Sequence, residues 1–184
     1  MKTELEKMLA DELYDASDPQ LLAMRIKARK LYYQYNQLQE EEQEQRYAIL
    51  SELLGQVGTK VDIQPPFHVD YGVHVFLGEN VFMNFNCIIL DSNTVHIGDN
   101  TMFGPNVQIY TAYHPLAAEE RIKGPELAAP IRIGKNVWMG GGAIVCPNVK
   151  IGDNSTIGAG AVVTKDIPAN VFAAGNPCRV IREL

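Results

Sequence analysis

The sequence predicts a mainly β protein: a parallel β-helix of six-residue repeats, preceded by an α-helical segment. Three observations predict it. Much of the chain after residue 63 divides into hexads whose first position is large and apolar. Gly and Asn recur at fixed places inside those hexads, as bends require. Residues 3 to 54 carry instead the three-to-four spacing of amphipathic helices. A length of 184 residues suffices for one core plus a small accessory element. With 46% hydrophobic and 21% charged residues, the chain falls in the ordinary globular class.

The helical segment comes first. Thr3 and Glu6 fit a capping box, in which hydroxyl and carboxylate each satisfy an orphan N–H. Asp18 before Pro19 reads as an N-cap and first helical position. Leu21, Met24, Ala28, Leu31, Tyr35 and Leu38 then form one apolar stripe. Residues 40 to 54 continue as a further helix, started by the solvated acidic run Glu40-Glu41-Glu42 and ended by Gly55.

The repeats follow. From Ile97 the chain reads IGDNTM, FGPNVQ, IYTAYH; from Ile133 it reads IGKNVW, MGGGAI, VCPNVK, IGDNST, IGAGAV, VTKDIP. Looser hexads run from Ile63 and Leu77, with two-residue slips at Val75-Phe76 and Val95-His96. Six residues are too few for a helix pair but enough for a short strand and a bend. Three such sides close a triangular coil, and stacked coils bond as parallel strands ~4.8 Å apart. About five coils are expected, with position six at a corner and both ends covered, because an open coil edge invites further pairing. The domain plan is therefore a helical segment over 1–57, a β-helix over 58–168 and a covering tail over 169–184.

Composition excludes several classes. A net charge of −6 argues against general nucleic-acid binding, which needs a basic face. No apolar run approaches a membrane span, and the charged start MKTELEKMLADELY does not look like a signal peptide, so a cytoplasmic protein is expected. Cys87, Cys146 and Cys178 are odd in number and widely spaced, and read as reduced thiols. His68 and His74 close successive hexads on successive corners and cannot share a metal within one chain; His96 sits in a slip. No metal is expected.

One interruption breaks the beat. The hexad from Ile109 ends at His114, and the next clear hexad starts at Ile133. Residues 115 to 132 fill three hexads' length and ignore the pattern, yet the phase is kept. Pro115, Gly124, Pro125 and Pro130 suit a projecting loop, and a loop of this length inside a solenoid is usually functional. His114 stands at its base. It is either a loop anchor or a general base, since a neutral imidazole can take a proton from a hydroxyl group near neutral pH. Glu126 on the same arm is the candidate to orient its ring, or a solvated loop carboxylate. Backbone N–H groups of Met139-Gly140-Gly141-Gly142 are candidates to hold an oxyanion, or these glycines only make bends.

The hexads, the segment TAYHP, the ending GAGAVVTKDIPANVFAAGNPCRVIREL and the start EKMLADELYDASDPQLLAMRIKARKLYYQYN together resemble the hexapeptide-repeat acyltransferases, in particular the maltose and galactoside O-acetyltransferase group. The resemblance covers nearly the whole chain. It implies a left-handed parallel β-helix, a homotrimer whose arm reaches over a neighbouring copy, and transfer of acetyl from acetyl-CoA, a co-substrate, to a hydroxyl of a small sugar. It makes His114 the catalytic base. It places CoA phosphates at Thr164, Lys165, Arg179 and Arg182, and the pantetheine near Gly141 and Ala159 in a groove between chains. It places the acceptor at Arg25, Asn84 and Asp91. Trp138, at an outward hexad position, would pack on the pantetheine or on a subunit interface. Asn84, at hexad position two, is a ligand or a left-handed bend residue. Phe82, the pair Asp91-Ser92 and Ala16 depart from the galactoside pattern, so a glucose- or maltose-like acceptor is expected. Another acceptor, or a non-catalytic trimeric binding module, is the alternative.

Overall fold

The computed structural model describes all 184 residues. The chain adopts the predicted class, a left-handed parallel β-helix behind a helical segment. Three faces of short strands build the prism. The first face stacks Asp62–Ile63, Phe82–Met83, Met102–Phe103, Trp138–Met139, Thr156–Ile157 and Val171–Ala174, all parallel. The second stacks Phe67–Val69, Cys87–Leu90, Gln108–Tyr110, Ile144–Val145 and Val162–Val163. The third stacks Val75–Leu77, Val95–Ile97, Ile131–Ile133 and Lys150–Ile151. The first face thus has six levels, one more than the five coils expected.

Hexad positions one and five both point inward. At position one lie Leu77, Ile97, Ile133 and Ile151; at position five lie Val81, Val107, Val137 and Ala143, all buried. A fully buried aliphatic side chain of this kind contributes about 1.5–3 kcal/mol relative to exposure. Two inward positions carry hydroxyls, and each is satisfied by the next coil: Thr101 donates to the Gly134 carbonyl at 2.8 Å and Ser155 to the Pro168 carbonyl at 2.8 Å.

Bends fall at positions three and four, and the two recurrent small or amide residues serve different ends. Position four is left-handed: Asn80, Asn100, Asn136, Asn154 and Asn170 all have positive φ. At the third corner, between third and first faces, these asparagines also bond to one another up the stack, from Asn80 to Asn100 to Asn136 to Asn154 to Asn170. Position two is often glycine, and at those places the next coil lies too close for a side chain. A Cβ on Gly98 would stand 2.7 Å from the Gly134 carbonyl carbon. Position six is therefore not at a corner, as the spacing suggested; Phe82, Met102 and Trp138 lie within strands. The slips also move. Val75-Phe76 and Val95-His96 are regular strand pairs, and the extra residues of the early coils bulge at the second corner, over residues 70–74 and 90–94.

Three helices precede the prism, α1 Glu4–Leu9, α2 Pro19–Tyr35 and α3 Gln43–Leu53; α2 and α3 cover the first coil, while α1 packs on α2 and the arm. The capping box at Thr3–Glu6 and the Asp18 cap both form. Helix α2 stops at Tyr35, so Leu38 falls outside its stripe, and Glu40-Glu41-Glu42 precedes α3 as a turn. Ala28, Leu31, Tyr35, Leu50 and Leu53 join the coil core. Asn36 closes the open edge of the second face, its Nδ2 donating to the Phe67 carbonyl at 3.0 Å and its Oδ1 accepting the Phe67 N–H at 2.8 Å. At the other end Arg179–Glu183 turns back antiparallel on Val171–Ala174, and the Cys178 N–H bonds the Val162 carbonyl at 2.8 Å. No helix is long and apolar enough to cross a membrane.

Candidate active site

The second corner, between second and third faces, carries the arm. Ala112–Tyr113 pairs antiparallel with Leu127–Ala128, and a short helix α4, Ala118–Arg121, forms the tip. Arg121 holds the tip by donating to the carbonyls of Pro115 at 3.2 Å and Leu116 at 2.9 Å. The arm starts at the corner where the earlier coils bulge, and it grows from them structurally. Asn93 in the bulge below donates from Nδ2 to the Ala128 carbonyl at 2.6 Å and to the Met8 carbonyl at 3.2 Å. One buried amide thus joins bulge, arm and α1. Met8, Tyr14, Leu21, Tyr71 and Ala128 form a small apolar cluster around it.

His114 is exposed at the root of this arm, one residue past the hairpin ladder. Continuing the Tyr113–Leu127 register sets it opposite Glu126. The Glu126 carboxylate accepts the Tyr14 hydroxyl at 2.8 Å, and the two backbones exchange N–H bonds at 3.1 Å each. Burial pushes the Tyr14 phenol well above its ordinary range, so it stays a donor. Glu126 is therefore held by Tyr14, beside the imidazole's backbone position.

Arg25 on α2 lies close by. It donates to the Tyr71 hydroxyl at 2.7 Å and the Ala16 carbonyl at 2.6 Å. It lines a polar cleft of about 790 Å³ with Asp15, Ser17, Lys7 and Lys123. Asp70 belongs to the same neighbourhood and was not a sequence candidate. Its half-buried carboxyl is pushed up by burial and by Glu126, while Arg25 and Arg29 pull it down. No periodicity marks it; only the fold brings it beside Arg25.

Asp91 is placed differently from expectation. It is 0% exposed, and its carboxylate accepts the N–H groups of Asp70 at 3.0 Å, Tyr71 at 2.8 Å and His74 at 3.3 Å. Burial pushes it up to about 7, with the Asp70 charge adding to the rise, while the backbone N–H groups of Tyr71, Gly72 and His74 pull against it. The side chain clamps the bulge and has no face for an acceptor. The remaining histidines are dispersed: His74 Nδ1 lies 2.8 Å from the Asp91 carbonyl, His68 meets Tyr32 edge-on and His96 stacks on Phe76 at 4.6 Å. No three His, Cys, Asp or Glu side chains converge in a way that could hold a metal ion.

The other candidates divide by place. Thr164 and Lys165 are exposed on the second corner, above the arm. Gly141 and Ala159 lie on the first corner, between first and second faces, where the Gly160 N–H bonds the Gly141 carbonyl at 2.9 Å. Asn84 shares that corner; its φ is not left-handed, so the bend explanation fails, and its Oδ1 accepts the Phe85 N–H at 2.7 Å. Trp138, 55% exposed, faces outward from the first face next to Met102. Arg179 and Arg182 are exposed on the returning strand of that face. Of the glycine N–H groups, Gly140 bonds Ile157 at 2.7 Å and Gly142 bonds Pro105 at 2.8 Å; that of Gly141 has no acceptor in the chain. The candidates therefore separate to either side of the second face: His114, Glu126, Arg25, Thr164 and Lys165 at the second corner, and Gly141, Ala159, Asn84, Trp138, Arg179 and Arg182 at the first corner and on the first face. One chain does not bring them together.

Residues 7–58 match the family described as the maltose acetyltransferase hexapeptide capping motif, and residues 130–165 match the bacterial transferase hexapeptide of six repeats. The chain is 51% identical to nodulation protein L of Rhizobium meliloti (strain 1021) over 97% of its own length and 98% of that protein's. Its fold is similar to a maltose O-acetyltransferase from Clostridium difficile 630, with TM-score 0.98 and 50% identity, covering 100% of this chain and 98% of that one. It is also similar to a galactoside acetyltransferase solved in complex with coenzyme A, with TM-score 0.95 and 41% identity, covering 100% of this chain and 92% of that one.

Proposed function

The chain belongs to the hexapeptide-repeat acetyltransferases of the maltose and galactoside type, and from that premise we propose that it moves acetyl from acetyl-CoA to a hydroxyl of a glucose- or maltose-like sugar, with His114 as general base. The observation that carries the reading is the exposed His114 at the root of the arm, on the same corner as Arg25, Asp70, Thr164 and Lys165, while Gly141, Ala159 and Asn84 occupy another corner. Two copies set side by side would complete both halves, so the proposed active form is a homotrimer with a site at each seam.

In the reaction, a ring nitrogen of His114 takes the acceptor hydroxyl proton as the oxygen attacks the thioester carbonyl. The carbonyl oxygen becomes an oxyanion, for which the unengaged Gly141 N–H is the available donor. Collapse breaks the C–S bond, and the imidazolium returns its proton to the departing thiolate. Glu126, fixed by Tyr14, orients the imidazole. Thr164, Lys165, Arg179 and Arg182 take the CoA phosphates, and Trp138 flanks the pantetheine. Arg25, Asn84 and Asp70 meet the sugar hydroxyls; Asp70 replaces the buried Asp91 in that role. The protein works in the cytoplasm, where acetyl-CoA is made.

A different acceptor is the second reading. It is favoured by the 51% identity to a relative named for nodulation. The test is acetyl transfer to glucose, maltose, a galactoside and an amino sugar by wild type and His114→Ala. Wild type is expected to prefer glucose or maltose. The variant is expected to lose transfer by about 10²–10⁴-fold while still binding CoA. Transfer that survives in the variant removes the base assignment; preference for the amino sugar removes the acceptor assignment.

A further inference from the structure

We infer that the helical cap carries a binding site for a small oxyanion, built around Arg46 and separate from the acetyl-transfer residues. Arg46 on α3 is 4% exposed, and its Nε and Nη1 have no hydrogen-bond partner in the chain. It forms no ion pair; its guanidinium lies 5.7 Å from the Tyr35 ring centroid. Guanidinium does not shed its proton in a protein, so burial cannot neutralise it as it would a lysine. A buried, unpaired charge is strongly unfavourable, and a guanidinium, which only donates, is met by an anion or by neutral acceptors.

The surroundings supply an anion pocket. A cavity of about 200 Å³ opens between α3 and the first coil, lined by Gln43, Arg46, Tyr47, Lys60 and Asp62. Lys60 makes no ion pair and adds a second positive charge at the mouth. Gln43 begins α3, its side-chain Nε2 donating to the Glu40 carbonyl at 2.5 Å, and the N-cap residue Glu42 accepts the Gln39 N–H at 2.7 Å and caps no helical N–H. The one carboxylate on the wall, Asp62, is engaged by Gln64 Nε2 at 2.9 and 3.0 Å. Two cations and one anion leave the cavity singly positive. That balance and the volume suit a singly charged oxyanion, a carboxylate or dihydrogen phosphate, and not a nucleotide. The bound anion would tie α3 to the coil that it covers.

The test uses the full-length protein saturated with CoA, so that the basic tail does not respond. Thermal unfolding is followed while sodium phosphate, sodium acetate or sodium chloride is titrated at fixed ionic strength. Phosphate or acetate is expected to raise Tm saturably and chloride not to. The lower half-saturating concentration tells tetrahedral from planar chemistry. Lys60→Asn removes the charge but keeps the left-handed corner at φ 55°, which asparagine occupies in other coils. It is expected to weaken the oxyanion response about tenfold, the loss of one charge-assisted bond, with acetyl transfer unchanged. Arg46→Gln is expected to abolish the response; should it not fold, Lys60→Asn carries the test. Equal Tm in all three salts, as when Asp62 turns onto Arg46 in solution, overturns the proposal. So does a Lys60→Asn variant that responds as wild type does.

Discussion

At the second corner single side chains set the backbone, and their titration is the residue-scale signature. Asp91 and His74 sit in adjacent bulges, bonded to each other, and respond to acid in opposite senses. Burial raises the Asp91 carboxyl to about 7, so the folded chain takes up a proton more readily than the unfolded one, and this contribution declines as pH rises towards 7. Burial lowers His74 below 6.5, so its contribution is present above 6.5 and is lost as pH falls through its folded value. His74→Gln retains a donor for the Asp91 carbonyl and removes the titration. Between about pH 6.5 and 5 the variant is expected to lose less stability than wild type by urea unfolding. Parallel curves for the two proteins would show that His74 does not titrate in this range. The residue scale also separates what a motif can announce. His114 was visible because it ends the last regular hexad before the arm. Asp70 was not, because its importance lies in proximity to Arg25, which is 45 positions away in sequence.

At the scale of elements, the repeat converts two local demands into a stack. Glycine at position two answers the close approach of the next coil, and asparagine at position four answers a left-handed bend. The asparagine ladder adds a third contribution, because Asn136 bonds Asn100 and Asn154 at once. Asn136→Ala meets both costs and is expected to destabilise the protein by about 1–3 kcal/mol. Asn136→Gly removes the dihedral cost alone and is expected to recover part of it, read from urea midpoints. Equal loss in the two variants would assign the whole effect to the ladder. The spacing revealed the hexads but misplaced position six and the slips. Periodicity fixes which residues share a face; it does not fix where along a period the chain bends. That is decided by the left-handed residue, which sits at position four in coil after coil. The arm follows the same logic. Its sequence showed that the chain leaves the prism, while Asn93 and Tyr14, remote in sequence, decide how it is held.

For the whole molecule, the division of candidate residues between two corners makes a prediction about assembly. On the proposed function, His114→Ala removes the base half and Ala159→Trp blocks the other half. Each is expected to be inactive alone. Dissociated, mixed in equal amounts and reassembled, they are expected to regain about a quarter of wild-type activity, the share of seams that pair two intact halves in a random trimer. Light scattering on the same samples gives the assembly size. No recovery in reassembled trimers would mean that each site lies within one chain. The exposed arm residues Leu116 and Ile122, at 96% and 82%, fit a surface that a second copy covers.

By itself the sequence determined the prism, its helical cap, the point where the arm departs and the residue at its root. Each of these follows from local spacing, because a six-residue period constrains strand, bend and inward side chain within a few positions of one another. Only the tertiary structure decided that Asp91 is a buried clamp, that Asp70 joins Arg25, that Tyr14 holds Glu126 and that Arg46 is buried with its Nε and Nη1 unpartnered. Those relations join residues far apart in the chain. They depend on how the helices wrap the first coil and the bulged corner, and no local period encodes them.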